Sequence, residues 1–307
     1  MQQTIQVWKT QWTYIKEPDK ETIEQLAKEY DFHEVIVNDL MEVNAQSKID
    51  SNSNHFFLAL TFTKYVESED KYILNELDAI IWENYIITTT SIESQSLSIL
   101  FDSIEKNPAI DEIYKASPYY ILYRIIDNFY NKAISSLSIS SKKLLTIQDN
   151  IADRKIEKWL VEDLMNEDLN KIFIKHNFLS QDNVILDLID HIRSLNDKHL
   201  NMCFNSLKVK LHKIINTINV LSERIESLMS AYDTFVGIKN NETITRLTFV
   251  NAIFMPLTLI AGIWWMSERS MMTGPDNRRF AYPMFLVLCL LVAYLTFFLL
   301  RRYFLKK

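Results

Sequence analysis

The stretch LTFVNAIFMPLTLIAGIWWM, residues 247–266, decides the fold. It is twenty residues long and contains no charged side chain. At a rise of 1.5 Å per residue, a helix of this length spans about 30 Å, the thickness of the hydrocarbon core of a bilayer. A second uncharged stretch, YPMFLVLCLLVAYLTFFLL, follows at 282–300. The sequence therefore predicts two transmembrane helices. The alternative for each stretch is a helix buried in a protein core.

The residues that flank the two spans predict their orientation. Trp264, Trp265 and Tyr282 stand where an aromatic belt would meet the lipid headgroups. The basic tail RRYFLKK, 301–307, follows the second span and marks its cytoplasmic side. The N-terminus has no apolar segment of the kind a signal peptide needs. We therefore expect a multi-pass protein of the cell inner (plasma) membrane, surrounded by lipid, with both termini cytoplasmic and a loop at 267–281 outside.

Charge and composition exclude several classes of protein. The net charge of the chain is −6, but residues 247–307 hold two acids and seven bases, so residues 1–246 carry −11. An acidic domain of this kind is a poor nucleic-acid surface and is compatible with cations. Three glycines cannot supply a phosphate-binding loop, so no nucleotide partner is expected. Two cysteines and no H-x-x-x-H pair leave no zinc site. No nucleophile, base and orienter can be assembled, so we expect neither an enzyme nor a cofactor.

Residues 1–196 are predicted to form an α+β domain. The predicted strands are TIQVWKT near the N-terminus, HFFLALTFTKYV at 55–66, and the pair KYILNELDAIIW and YIITTT, which form a hairpin turning at Glu83 and Asn84. The pattern at 20–41 is helical, and no strand is predicted from Gln95 onwards. Ser117 and Pro118 are typical of a helix start, and that helix is expected to run to about Asn150, with another at about 153–177.

A third helix begins near Asp197 and carries a regular apolar pattern. Its apolar residues recur at intervals of four and three over five heptads: Leu200, Phe204, Leu207, Leu211, Ile214, Ile218, Leu221, Ile225, Leu228, Tyr232 and Phe235. Pro256 is the one clear helix breaker before Met266, and a transmembrane helix tolerates proline. The pattern predicts one helix of about 70 residues and roughly 100 Å. We assign 197–246 to a cytoplasmic stalk and 247–266 to the first span.

Small polar residues enter this helix near the membrane. The series continues at intervals of three and four, in a shifted phase, through Asn241, Ile244, Thr248, Asn251, Met255 and Thr258. Polar groups on one face of a span have two interpretations. They line a wet interior formed by several copies of the helix, or they hydrogen-bond a neighbouring helix.

The sequence resembles the CorA-type family of magnesium transporters, the two-transmembrane GxN proteins. The resemblance is carried by IFMPLTLIAGI at 253–263, ENYIIT at 83–88, SPYYILYRIIDNFY at 117–130, Asn241 and the basic tail. It implies a funnel-shaped homo-oligomer, a pentamer, in which an α+β cytoplasmic domain precedes a stalk helix and two transmembrane helices. It also implies passive flux of Mg²⁺ or another divalent cation, with the ion as substrate or regulator.

On this resemblance the first transmembrane helix lines a central pore. The expected lining residues are Asn241, Ile244, Leu247, Thr248, Asn251, Met255, Thr258 and Gly262. Ile244, Leu247 and Met255 are either apolar constrictions that gate by dewetting or ordinary interhelical packing.

The sequence departs from the family at its signature. Where the family reads Tyr-Gly-Met-Asn, this chain reads Trp264-Trp265-Met266-Ser267. In the family, asparagine side chains and glycine carbonyls at this pore mouth contact the hydrated ion. Trp265 is either an interfacial anchor or the cause of an altered or occluded mouth. The loop 267–281 has a net charge of +1 and lacks the family's acidic cluster. Altered selectivity, for a monovalent cation or an anion, and a non-conducting membrane scaffold therefore remain alternatives.

The family's regulatory carboxylates are also replaced. The comparable face of the stalk offers Asn201, Asn205 and Ser206. Asp197 and Asp233 remain, and acids on a long helix are usually part of its solvated face. No regulatory metal site is assigned.

Overall fold

The structure is a computed structural model, and it describes residues 2–7, 9–42, 46–51, 55–106, 117–153, 157–267 and 278–304. The chain forms two compact units, Met1–Ser230 and Ala231–Lys307. The strands are β1 (Gln2–Val7), β2 (Thr10–Lys16), β3 (Lys48–Ser51), β4 (Phe56–Val66), β5 (Lys71–Trp82) and β6 (Tyr85–Thr90). The helices are α1 (Lys20–Tyr30), α2 (Glu34–Met41), α3 (Gln95–Lys106), α4 (Pro118–Ala152), α5 (Lys158–Ser194), α6 (Lys198–Ser267) and α7 (Arg278–Phe304).

The six strands form one mixed sheet in the order β1-β2-β6-β5-β4-β3. All neighbouring strands are antiparallel except β2 and β6, which are parallel. The predicted hairpin is confirmed: Trp82 pairs with Tyr85, and Glu83 adopts the left-handed conformation in the turn. The sequence prediction missed β2 and β3. Strand β3 has only four residues, none of them buried, so it lacks the alternating pattern that reveals a strand.

Helices α1 and α2 cover one face of the sheet. Ile23 and Leu26 of α1 and Ile36 of α2 share a buried cluster with Ile80 and Ile87. On the opposite face, the Phe62 ring stacks on that of Phe129 in α4, with a centroid distance of 4.4 Å. The core of the first unit therefore lies on both sides of the sheet.

The helical pattern predicted at 20–41 is confirmed, and it is divided between two helices. Asp19 caps α1 by accepting a hydrogen bond from the backbone N–H of Thr22, and Asp31 ends it in the left-handed conformation. His33 then starts α2 by accepting from the N–H of Val35 through Nδ1. The apolar pattern continues through this break in the backbone, so it does not indicate where one helix ends and the next begins.

The long helices extend beyond the predicted ends. Pro118 opens α4 as predicted, although the side chain of Ser117 makes no capping hydrogen bond. Helix α5 begins at Lys158 rather than near 153 and continues past 177 to Ser194. Phe178, Ile185 and Ile192 keep one side of its last turns buried, which explains the extension.

Helix α6 is a continuous helix of 70 residues, as predicted. The heptad residues from Leu200 to Leu228 are all buried, whereas Tyr232 and Phe235 are half-buried. The stalk is tied to α4 by a hydrogen bond from Arg224 to Gln148 (2.5 Å) and to α5 by a bond between His212 and Asp182 (3.2 Å). The apolar seam is therefore covered within the chain.

Helix α7 contains the second predicted span, 282–300, and exceeds it at both ends. Ser267 belongs to α6 and Arg278 to Ala281 belong to α7, so the predicted loop is shorter than 267–281. Residues 268–277 and 305–307 lie outside the described residues. In the described part of the chain, α6 up to Gly262 is long and apolar enough to cross a membrane, and α7 contributes a shorter apolar run, Leu286–Phe298.

Candidate ion pathway

One side of α6 faces α7 in the second unit. The residues of this side are the less exposed ones: Phe249, Ala252, Ile253, Pro256, Leu257 and Ile260. The ring of Phe249 meets that of Phe297 in α7 edge to face, with centroids 5.8 Å apart. Apolar packing between the two spans therefore occupies this side of α6.

Six of the predicted pore-lining residues lie on the opposite side. They are Ile244, Leu247, Asn251, Met255, Thr258 and Gly262, and we call them the Asn251 face. Asn251 is nine residues from Ile260, and Thr258 is nine residues from Phe249. Nine residues are two and a half turns at about 3.6 residues per turn, which places each pair on opposite sides of the helix.

The Asn251 face is exposed along its length in the single chain. Ile244 is 59% exposed, Leu247 58% and Met255 75%. A β-carbon added at Gly262 would meet no atom within 4 Å, so packing within the chain does not require glycine there. Asn241 and Thr248 are seven residues apart and nearly in line, but Thr248 is rotated by about 60° from Asn251. These two lie at the margin of the face.

The polar groups of the face differ in their hydrogen bonds. The hydroxyl of Thr258 donates to the backbone carbonyl of Phe254 at 2.6 Å, one turn earlier. The carboxamides of Asn241 and Asn251 are exposed, and within the described part of the chain they make no hydrogen bond. Asn251 therefore presents a carbonyl oxygen and an amide group to whatever lies against this face.

The charged residues near the membrane lie on the other side of α6. At about 100° per residue, Lys239, Glu242 and Arg246 fall on the side that carries Phe249 and Ile260. The Asn251 face itself contains no charge between Ile244 and Gly262. It therefore offers an ion only neutral dipoles and apolar surface.

The altered signature, Trp264 to Ser267, forms the last turn of α6. The side chains of these four residues lie outside the described residues. The predictions for the pore mouth therefore stay predictions.

At the start of the stalk, the side chains of Asp197 and Asn205 hydrogen-bond to the backbone of their own helix. Asp197 caps α6 through Oδ1, which accepts from the backbone N–H groups of His199 (2.8 Å) and Leu200 (3.0 Å). Asn205 donates to the carbonyl of Asn201 at 2.6 Å. Asp233 is exposed. In the described residues no group of three or more His, Cys, Asp or Glu side chains is arranged to hold a metal.

A buried ion network in the first unit was missed by the sequence reasoning. The Lys171 ammonium is fully buried and donates to Glu167 and to the hydroxyl of Ser140, both at 2.8 Å. Lys143 lies 3.4 Å from Glu167 and 3.0 Å from Asp70. The hydrogen bond from the Tyr65 hydroxyl, and secondarily the one from Lys143, lowers the pKa of Asp70. The i, i+4 spacing of Glu167 and Lys171 was the available signal, but it usually indicates an exposed pair.

A second buried acid lies in the sheet. Asp78 on β5 accepts a hydrogen bond from the Thr89 hydroxyl at 2.9 Å through Oδ2, and its Oδ1 has no partner in the described structure. Burial, and then the neighbouring Glu76, raise the pKa of this carboxyl well above its usual value. Asp78 belongs to the first unit and is not part of the Asn251 face.

Comparison with known proteins decides the family. The profile of the family described as "CorA-like Mg2+ transporter protein" matches residues 9–302, nearly the whole chain. The chain belongs to this family. CorA-like proteins are transporters and channels, so the chain is a membrane transport protein and not an enzyme.

Individual relatives agree with the CorA-like assignment. The chain is 21% identical over 276 residues to the cobalt/magnesium transport protein CorA of Thermotoga maritima, covering 89% of this chain and 76% of the relative. The complete CorA magnesium transporter from Methanocaldococcus jannaschii has a TM-score of 0.83 at 15% identity, covering 97% and 92% of the two chains. The full-length CmaX protein has a TM-score of 0.75 at 13% identity, covering 95% and 88%. At these identities the two structures establish the fold alone, an α/β N-terminal domain followed by a long helix.

Proposed function

We propose that this chain conducts Mg²⁺ or another divalent cation passively through a pore formed by α6 helices of several copies, five by resemblance to the family. The observation that carries the proposal is the Asn251 face. It holds Asn251 and Thr258, two of the three small polar residues of the first span, it is exposed in the single chain, and it lies opposite the side that packs on α7.

In a membrane, the exposed polar groups of the Asn251 face need a partner. Polar groups in hydrocarbon need a partner, so they face water or another helix. Because α7 occupies the opposite side of α6, the partner for Asn251 comes from outside the chain. Copies of α6 around a common axis would enclose water between these faces. With two spans and a basic tail, this proposal places both termini in the cytoplasm. The charge of −11 on residues 1–246 favours cations over anions.

A second candidate function is supported by the signature. Trp265 and Ser267 replace the family's glycine and asparagine, which favours an altered ion preference or, at the extreme, a scaffold that no longer conducts. Magnesium holds its water shell tightly, so selection depends on outer-sphere contacts that a serine hydroxyl places differently.

Ion flux into liposomes tests the proposal. The full-length protein is reconstituted, and influx of Mg²⁺, Zn²⁺, Na⁺ and Cl⁻ is compared with that of protein-free vesicles. Divalent flux supports the proposal, whereas monovalent or anion flux without divalent flux contradicts it. The double variant Trp265→Gly, Ser267→Asn is measured in parallel. Mg²⁺ flux that appears only in this variant would mean that the natural ion is another one.

A comparison of two cysteine variants tests separately whether the Asn251 face lines the pore. In a background with Cys203→Ser and Cys289→Ser, Met255→Cys lies on the Asn251 face and Ile253→Cys lies towards α7. A membrane-impermeant thiol reagent is expected to block flux through the Met255→Cys protein and leave the Ile253→Cys control unaffected. Equal block, or block of the control alone, would refute the orientation.

A further inference from the structure

Asn251 is the one asparagine in the uncharged stretch 247–266. Thr258 and Thr296 satisfy their hydroxyl donors within their own helix, by donating to the backbone carbonyls of Phe254 and Val292. The carboxamide of Asn251 makes no such bond in the described part of the chain. A polar group that is left unsatisfied at membrane depth indicates a functional site.

The residues one turn before and one turn after Asn251 are apolar. Leu247 and Met255 are each four residues away on the same face, about 6 Å along the helix axis, and both are largely exposed. Charged side chains are absent from this face, because Lys239, Glu242 and Arg246 lie on the other side of the helix. In an assembly around an axis, Asn251 therefore forms a polar ring between two apolar rings.

A ring of carboxamides suits a cation that keeps its water shell. Each carbonyl oxygen accepts a hydrogen bond from a water molecule of the hydrated ion, and no carboxylate competes to strip that shell. Magnesium, which dehydrates reluctantly, is the kind of ion such a ring would hold. The apolar rings leave Thr248, at the margin of the face, as the one other polar side chain within about 6 Å of Asn251 along the axis.

We propose that Asn251 is the principal ion-contacting and specificity-determining residue of this transporter, and that it selects a hydrated divalent cation within the span rather than at the pore mouth. The proposal rests on the pore function argued above. Ser267 occupies the family's asparagine position sixteen residues further along α6, so the selecting ring lies roughly 24 Å from that position. A chain with no asparagine at its signature thereby keeps an asparagine ring in its pathway.

The experiment compares Asn251→Ala with Ser267→Ala in the full-length protein. Both are reconstituted in liposomes loaded with a Mg²⁺-sensitive dye, and the ratio of Mg²⁺ to Na⁺ influx is measured beside wild type. Asn251→Ala is expected to lower this ratio at least tenfold, and Ser267→Ala to change it less than twofold. Asn251→Asp, which keeps acceptor oxygens and removes the amide donors, is expected to retain the preference for Mg²⁺.

The outcomes separate this inference from the proposed function. Absence of any divalent flux in wild type refutes the pore function itself. Divalent flux in wild type with an unchanged ion ratio in Asn251→Ala, or an equal loss in Ser267→Ala, refutes only the role of Asn251. The size of each purified particle, measured by light scattering, completes the comparison. A smaller particle for Asn251→Ala would show that the residue joins neighbouring helices, and would overturn its role in selection.

Discussion

The buried pair of Glu167 and Lys171 gives an asymmetric prediction for stability. Removing one partner of a buried ion pair costs about 3–5 kcal/mol, because the other charge stays buried without compensation. In Glu167→Leu, the ammonium of Lys171, which is 0% exposed, keeps a single hydrogen-bond partner among the described residues, the hydroxyl of Ser140. In Lys171→Met, the Glu167 carboxylate keeps Lys143 at 3.4 Å. We therefore expect the full cost for Glu167→Leu and a smaller cost, about 2–3 kcal/mol, for Lys171→Met.

The double variant Glu167→Leu, Lys171→Met removes both charges and fills the space with apolar atoms. Its free energy of unfolding is expected to lie within about 1 kcal/mol of wild type or above it. Thermal unfolding in detergent, followed by tryptophan fluorescence, ranks the stabilities of full-length wild type, the two single variants and the double variant. At about 2–4 °C per kcal/mol, Glu167→Leu should unfold roughly 10 °C below wild type. Equal losses in the two single variants, or a double variant that is the least stable of the three, would refute the reasoning.

Three further predictions use the same unfolding measurement. Replacing Ile214 in the stalk seam, which is 0% exposed, by alanine should cost about 2–5 kcal/mol, whereas Val209→Ala, at a site 70% exposed, should cost under about 0.5 kcal/mol in an unassembled chain. Because burial raises the pKa of Asp78, the native state holds its proton more tightly than the unfolded state. The stability that comes from protonated Asp78 is therefore lost as pH rises. Wild type should lose more thermal stability between pH 5 and 8.5 than Asp78→Asn. A steeper loss in the variant would contradict this. Burial lowers the pKa of His191, so acidification from pH 7.5 to 5 should destabilise wild type more than His191→Gln, and equal slopes would show that His191 does not contribute.

The elements with a regular pattern of apolar residues were predictable from the sequence. The length of α6 follows from its heptads and from the scarcity of glycine and proline, and β4 to β6 follow from runs of β-branched and aromatic residues. The break between α1 and α2 was not predictable from the apolar pattern, because it is made by the left-handed conformation of Asp31 and the cap at His33. Strand β3 was missed because its ladder with β4 depends on the backbone rather than on an alternating side-chain pattern.

From the sequence, the candidate site was predictable only as one face of a helix. Intervals of three and four brought Ile244, Asn251, Met255 and Thr258 to one side, and the structure adds that α7 occupies the other. Asn241 and Thr248 lie at the margin, because the stripe drifts around a straight helix when a heptad spacing is imposed on it. The buried Lys171 was missed for a different reason: its burial results from contacts with α4, which local sequence does not encode.

The parallel pairing of β2 with β6 has a consequence for how the chain folds as it is synthesised. Gln11 and Tyr85 are neighbours in the sheet although 74 residues separate them, whereas β4, β5 and β6 are joined by short connections. The entropy of closing so long a loop means that the β4–β6 meander is expected to form first. The β1–β2 ribbon leaves the ribosome before this meander and is expected to dock after it, when Trp12 and Tyr14 reach their hydrogen-bond partners Thr88 and Thr90. Until the meander has formed, this ribbon lacks its partner strand, and its two large aromatic side chains are expected to stay exposed.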